Sequence, residues 1–471
     1  MHKFFQQLVP LCWTFILCCL VALTCSAVPS SAYNGSAGKD PLTPEISGQI
    51  PLAVDVPSSA KTPEEARPFF DHFSWQSFIA LNWPAKPGKR GQPYRPNKSK
   101  VFLKQPQGAQ PVVWGTYREA FDLFNQGQDR PVAWNADAQP KNSPCPNAKP
   151  GQKVFVMASK VGTVLDEVDQ AFSFPLIDQH KNFASYEVRF DKAQYNFVRG
   201  SDNEPTSWLY LVKNLAKAQG DNGLQMPVST TQPRQLGALM LKAGWRQMTD
   251  KDDLSRYYVV QAQVYDPTSK TCQEQSMGLV GLHVVQKLEN FPEWIWSTFE
   301  QVDNVPGTDD SGSVPASFSF NNGTRFPKTV GGYANKPTYK ASDMPAKDAR
   351  VPVQVTRLNA IPPSTEETNA RYQKALKNTV WQYYQLVFTQ WPADASNFLL
   401  MEEGGIYPQD AGGAFPVNGV TNAALETYFQ SQDDAAGAGG NSCMSCHYRA
   451  GQSDFSWVLQ LRAHEDRSKS Q

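Results

Sequence analysis

The stretch MGLVGLHVVQK (277–287) is apolar apart from one histidine, His283, and a polar end, and it reads as a strand. Similar runs surround it. ASYEVRF (184–190) sets Tyr186, Val188 and Phe190 against Glu187 and Arg189, the period of a half-buried strand. LGALMLKAGWRQM (236–248) and RYYVVQAQVYD (256–266) follow, and EWIWSTFE (293–300) alternates Trp294, Trp296 and Thr298 with Ile295 and Ser297. Short polar connections join these runs, which together predict an antiparallel meander.

Helical signals flank the strands. Thr62-Pro63-Glu64-Glu65 offers an N-cap threonine, a proline at the first helical position and a glutamate closing a capping box. The segment after it, FFDHFSWQSFIALNWP, is too apolar for a surface helix and belongs in the core. Thr116 with Glu119 predicts a second boxed helix through YREAFDLF, and Ser364 with Glu367 a third running through ETNARYQKALKNTVWQYY. TNAALETYFQ (421–430) reads as a short helix before the linker SQDDAAGAGGN. The expected fold class is therefore α+β, an antiparallel meander packed with helices.

Composition narrows the function. With 44 Lys plus Arg against 44 Asp plus Glu, the chain carries no formal net charge, and no dense basic run could follow a phosphate backbone, so nucleic acid is excluded as a partner. At 471 residues and 40% hydrophobic it can bury a large core. The 36 prolines and 31 glycines suit an exported, loop-rich domain better than a helical bundle.

The first residues set the compartment. His2 and Lys3 precede the apolar run LCWTFILCCLVALT (11–24), which has the length of a secretory h-region and falls short of the ~20 residues a membrane span needs. Small residues follow at Cys25-Ser26-Ala27 and Ser30-Ser31-Ala32, so cleavage is expected after Ala27, or else Ala32, leaving no transmembrane span. The expected organisation is a signal peptide over 1–27, a flexible Pro/Ser-rich lead-in over 28–61, a large domain over 62–430 and a C-terminal segment over 431–471 packed on it.

Export simplifies the cysteines. Cys12, Cys18, Cys19 and Cys25 lie in the removed segment, leaving Cys145, Cys272, Cys443 and Cys446. Cys443 and Cys446 already form a pair within SCMSCH (442–447), so Cys145 and Cys272 are the candidate disulfide, worth about 3–5 kcal/mol on the chain-entropy model.

SCMSCH can serve three chemistries. Zinc asks for four ligands, and Cys443, Cys446 and His447 supply three with no second CxxC to complete a site. A redox CxxC normally opens a helix after the first strand of a βαβ unit, whereas this one follows a Gly/Ala linker near the end of the chain. The haem reading uses every residue. Two thiols three positions apart reach the two vinyl groups of one porphyrin, and His447 is placed to ligate the iron. The sequence thus predicts one covalent haem c held by a C-terminal helical segment on Cys443, Cys446 and His447. Only 24 residues follow His447, so upstream chain must build most of the pocket.

The stretches PLIDQHKNFASYEVRF, LKAGWRQM, GLVGLHVVQK, WIWSTFEQVDNVP and SCMSCH resemble those of large exported monohaem cytochrome c family proteins of Gram-negative bacteria. That resemblance covers residues 65 to about 450. It implies covalent haem on Cys443 and Cys446, ligation by His447 and periplasmic residence, and it implies no substrate.

Among the mature histidines, His283 is the first candidate for a sixth iron ligand, because an imidazole in an otherwise apolar strand needs a partner. Met157 and Met401 are thioether candidates. Tyr448 and Arg449 are candidates to hydrogen-bond a propionate, and Trp457 to pack on the porphyrin edge. The leading function is electron transfer with periplasmic redox proteins. The alternative is a haem enzyme of peroxidase-like type, or a small-ligand sensor, with an open iron site.

Overall fold

The computed structural model describes residues 40–104, 111–124, 130–136, 144–149, 152–156, 174–220, 223–266, 269–307, 318–323, 347–391, 420–430 and 443–464. Leu42–Gln471 forms one compact unit. Its architecture is α+β, with a mostly antiparallel sheet and several helices.

The first helix, α1 (Pro63–Leu81), begins where the sequence predicts. Glu65 N donates to Thr62 Oγ1, and the Glu65 carboxylate accepts from Thr62 N, both at 3.2 Å. Two five-residue helices follow, α2 (Ser99–Leu103) and α3 (Ala120–Phe124). The capping box expected at Thr116 does not form. Thr116 donates to Val113 O, residues Arg118–Glu119 become the short strand β1, and Glu119 accepts from Lys153 and Arg189. That charge cluster draws Glu119 away from the helix terminus it would have capped.

Strands β2 (Lys153–Val156) and β3 (Ser185–Phe190) come next, then α4 (Lys192–Arg199), α5 (Val212–Gln219) and a small hairpin of β4 (Thr230–Thr231) and β5 (Arg234–Gln235). The central strands are β6 (Leu239–Gln247), β7 (Val259–Asp266), β8 (Thr271–Leu288) and β9 (Phe291–Gln301). Helix α6 (Pro363–Ala375) leads to β10 (Tyr384–Gln390), and the chain ends in α7 (Cys443–His447) and α8 (Trp457–Arg462).

The eight-stranded sheet is not a simple meander. β7, β8 and β9 follow one another as antiparallel neighbours, but β6 pairs with β8 and not with β7. The long strand β8 accounts for this. Met277 and Gly278 pair with both β6 and β7, and from Gly281 onward β9 replaces β7 on that edge. Tyr384 fills the fork, its hydroxyl accepting from Tyr258 N at 3.0 Å and donating to Leu279 O at 2.9 Å. β3 with β1 extends one edge, β10 pairs with β9, and β2 adds a parallel strand to β7.

Helix α6 starts at Pro363 with no side-chain cap and stops at Ala375, so the expected Ser364–Glu367 box is absent and the helix is shorter than predicted. Thr365 donates instead to Asp71 Oδ2 at 2.6 Å, joining α6 to α1. The predicted helix over 421–430 is a set of turns with a single 3-10 turn at Thr427–Phe429. The lead-in also packs more than its composition suggests: Leu52 is buried, Gln286 Nε2 donates to Pro51 O at 2.7 Å, and Gly48 N donates to Pro96 O at 2.8 Å.

Alternation sorts the sheet into two covered faces. On one, Ser74 of α1 bonds Ser297 and Thr389 at 2.8 Å, and Trp75 meets Phe299 edge-on and stacks on Tyr372 of α6. The opposite face carries Lys242, His283 and Thr298 in one cross-strand row and Met240, Val285 and Trp296 in the next. Segment 420–430 covers part of it: Asn422 Nδ2 donates to Thr298 Oγ1 at 2.9 Å, and Tyr186 OH donates to Ala424 O at 3.0 Å.

Cys145 and Cys272 are joined by a disulfide, with an S–S distance of 2.00 Å and Cα atoms 5.8 Å apart. Among the described residues no helix is long and apolar enough to cross a membrane.

Candidate functional site

The motif forms its own short helix, α7, on the sheet face that carries His283. Cys443 and Cys446 form no disulfide and are of intermediate exposure. Cys443 packs against the main core, and burial, followed by the charge of Glu426, pushes its thiol above the usual range. That is the reverse of a reactive redox CxxC, whose nucleophilic thiol is depressed.

His447 is anchored from two sides. Its Nδ1 donates to Phe455 O at 2.8 Å, and its ring lies 4.4 Å from that of Trp296 on β9. The bond to a carbonyl fixes the tautomer and leaves Nε2 free to coordinate. Burial pushes its pKa down to about 4, with the charges of His283 and Lys242 adding to the depression and the bond to Phe455 opposing it. The imidazole is therefore neutral at neutral pH, the form a metal requires. Trp457 Nε1 donates to Cys446 O at 3.1 Å, tying α8 back to α7.

His283 faces this assembly from the sheet. Register pairs it with Lys242 on one side and Thr298 on the other, with Trp296 diagonal to it. One ring nitrogen, Nε2, bonds the Glu426 carboxylate, and Lys242 Nζ stands 3.9 Å from the same oxygen. Burial works to raise the Glu426 pKa, but the charge and hydrogen bond of His283, with Lys242, outweigh it and hold the carboxylate below its usual range. Lys242 is lowered by burial and partly restored by Glu426 and Cys446. His283, Lys242, Glu426 and the motif are thus close enough to share one electrostatic environment.

Cys443, Cys446 and His447 are the residues here with the chemistry to hold a cofactor, and His283 has one further ring nitrogen not bonded to Glu426. Among the described residues, no three His, Cys, Asp or Glu side chains converge as ligands of a bare metal ion. Met157 and Met401, and the side chains of Tyr448 and Arg449, lie outside the described residues. Sequence reasoning missed Glu426, Trp296 and the Phe455 carbonyl, which contribute through pairing across long sequence separations. The only local hint was the alternation that sets Trp296 on one face with Thr298.

No protein-family model, curated protein or solved structure matches the chain.

Proposed function

We propose that this chain is an exported c-type cytochrome that transfers single electrons between periplasmic partner proteins. Cys443 and Cys446 would carry one haem through thioether links, His447 would offer Nε2 to the iron, and His283 would offer the second imidazole. Bound there, haem supplies a one-electron couple whose potential is set by its axial ligands and surroundings.

One observation carries this reading: each of two imidazoles on the same sheet face has one nitrogen committed to an acceptor and the other uncommitted. His447 spends Nδ1 on the Phe455 carbonyl, and His283 spends a nitrogen on the Glu426 carboxylate. Iron-ligating histidines need this second-shell bond, which orients the ring and raises its basicity. The chain's other residues would flank the group: Trp296 packs against the His447 ring, and Cys443 packs against the core. The raised thiol of Cys443 supports a porphyrin attachment over a reactive redox pair. The signal-like N-terminus and the Cys145–Cys272 bridge both support an oxidising, exported setting.

The half-buried His283–Glu426 pair also favours a second reading. If His283 does not ligate, it and Glu426 form an acid–base pair beside an open iron site, as a peroxidase-like enzyme or small-ligand sensor would need.

Mass spectrometry of the mature chain, made in a host that attaches haem, tests the first step; a bare apoprotein mass would remove the haem reading. Spectra of the reduced protein with and without carbon monoxide then separate the two functions. A low-spin, CO-inert spectrum that turns high-spin in His283→Ala is expected, whereas prompt CO binding to the unaltered protein would transfer the assignment to the open-site reading.

A further inference from the structure

Beneath the motif lies a buried ion pair that the proposed function does not use. Lys287 Nζ bonds Asp454 Oδ2 at 2.5 Å, and each side chain is 1% exposed. Burying two charges costs desolvation that their attraction does not reliably repay, so the pair calls for a role beyond stability. Its surroundings supply one. Asp454 Oδ1 accepts from Trp294 Nε1 at 3.2 Å, and Oδ2 also accepts from Met226 N at 2.7 Å. Strands β8 and β9 and the 224–226 segment therefore grip one carboxylate from three directions.

The backbone at this point is unusual. Asp454 (φ 52°, ψ 49°) and Phe455 (φ 64°) are consecutive non-glycine residues in the left-handed region, which L side chains adopt only where their surroundings over-determine it. The outcome of that double turn is the direction of the Phe455 carbonyl, which accepts from His447 Nδ1. We propose that Asp454, clamped by Lys287, is a positioning residue for His447: it fixes the Phe455 carbonyl, and through it the ring plane and the aim of Nε2. Asp454 itself does not bond His447. The inference rests on the haem reading and deepens it, because it names the device that holds the proximal ligand in one orientation.

The test uses the haem-loaded full chain and the double variant Lys287→Gln/Asp454→Asn. One positive and one negative charge are removed together, so net charge is unchanged, and asparagine tolerates the left-handed conformation. Expected is one covalent haem per chain, a raised reduction potential because a looser Nδ1 bond makes the imidazole a weaker donor, and a broadened low-spin electron paramagnetic resonance signal. Arg256→Gln/Asp303→Asn, on a second ion pair, should leave both readouts unchanged and so controls for general loss of stability. A double variant with the parent's potential and resonance signal overturns the proposal while leaving the haem reading standing. A parent chain without haem sinks that reading instead. Should the double variant fail to fold, Trp294→Phe, which removes one donor to Asp454 Oδ1 and leaves the ion pair intact, is read by its resonance signal, and an unbroadened line there overturns the proposal equally.

Discussion

Leu425 sits in a notch made by two glycines, and filling that notch gives a quantitative test of how the sheet face that carries His283 is packed. Gly244 on β6 and Gly281 on β8 are register partners. A Cβ added at Gly281 would stand 2.9 Å from Leu425 Cγ and 3.1 Å from Cδ1, and one at Gly244 would stand 2.9 Å from Leu425 Cδ2. Leu425 is fully buried, so Gly281→Ala forces it to move, an overpacking cost of roughly 1–3 kcal/mol. Leu425→Ala alone removes a buried leucine and should cost about 2–5 kcal/mol. In the double variant the new methyl occupies space the leucine has left. The combined loss should therefore fall short of the sum by on the order of 1 kcal/mol or more. Urea denaturation of the parent and three variants, followed by tryptophan fluorescence with m-values compared, measures the cycle. Additivity to within about 0.5 kcal/mol would show that the methyl and Leu425 never meet, refuting the packing described for this face. The neighbour of Leu425 is Glu426, so the same substitution should also disturb the partner of His283.

Two further outcomes follow from other parts of the molecule. Replacing Cys145 and Cys272 by alanine opens a loop with a sequence separation of 127, worth about 5 kcal/mol on the chain-entropy model; a fall in denaturation free energy below about 1 kcal/mol would show that the bridge constrains little. Asp71 is buried in α1, and burial, opposed by hydrogen bonds from Thr365 and Thr389, raises its pKa to about 6. A carboxyl raised in the folded state contributes stability that is fully present below its ordinary value near 3.8 and is lost as pH rises through 6. Asp71→Asn removes that loss, so the variant should gain on the parent between pH 4 and pH 7 in urea midpoints. A difference that stays constant with pH would contradict the assignment.

The parts of the fold that local chemistry determines are those the sequence reveals. Period-two alternation marks β3 and β9, apolar runs between short polar connections mark β6, β7 and β8, and the Thr62–Glu65 box marks the start of α1, because neighbours within a few residues decide all of these. Long-range competition decides the rest. Glu119 looks like a helix-capping residue until Lys153 and Arg189 arrive from strands 34 and 70 residues away. β10 begins at Tyr384, the last residue of the run predicted as helix, and its pairing with β9 makes YQLVFTQ a strand. The order of β6 and β7 around β8 depends on how far one 18-residue strand can be shared, which no local pattern specifies.

The candidate site divides along the same line. The groups that would touch the cofactor are legible because their chemistry is concentrated in six letters, and His283 stands out because a polar ring interrupts an apolar strand. The groups that would orient them are not: Glu426, Trp296 and the Asp454–Phe455 turn reach the imidazoles through tertiary contacts, and a backbone carbonyl leaves no mark on residue identity. A motif can therefore name a ligand while the sheet beneath it sets the ligand's orientation. In this molecule β8 links both imidazoles, carrying His283 directly and, four residues later, Lys287, whose grip on Asp454 reaches His447 through one peptide carbonyl.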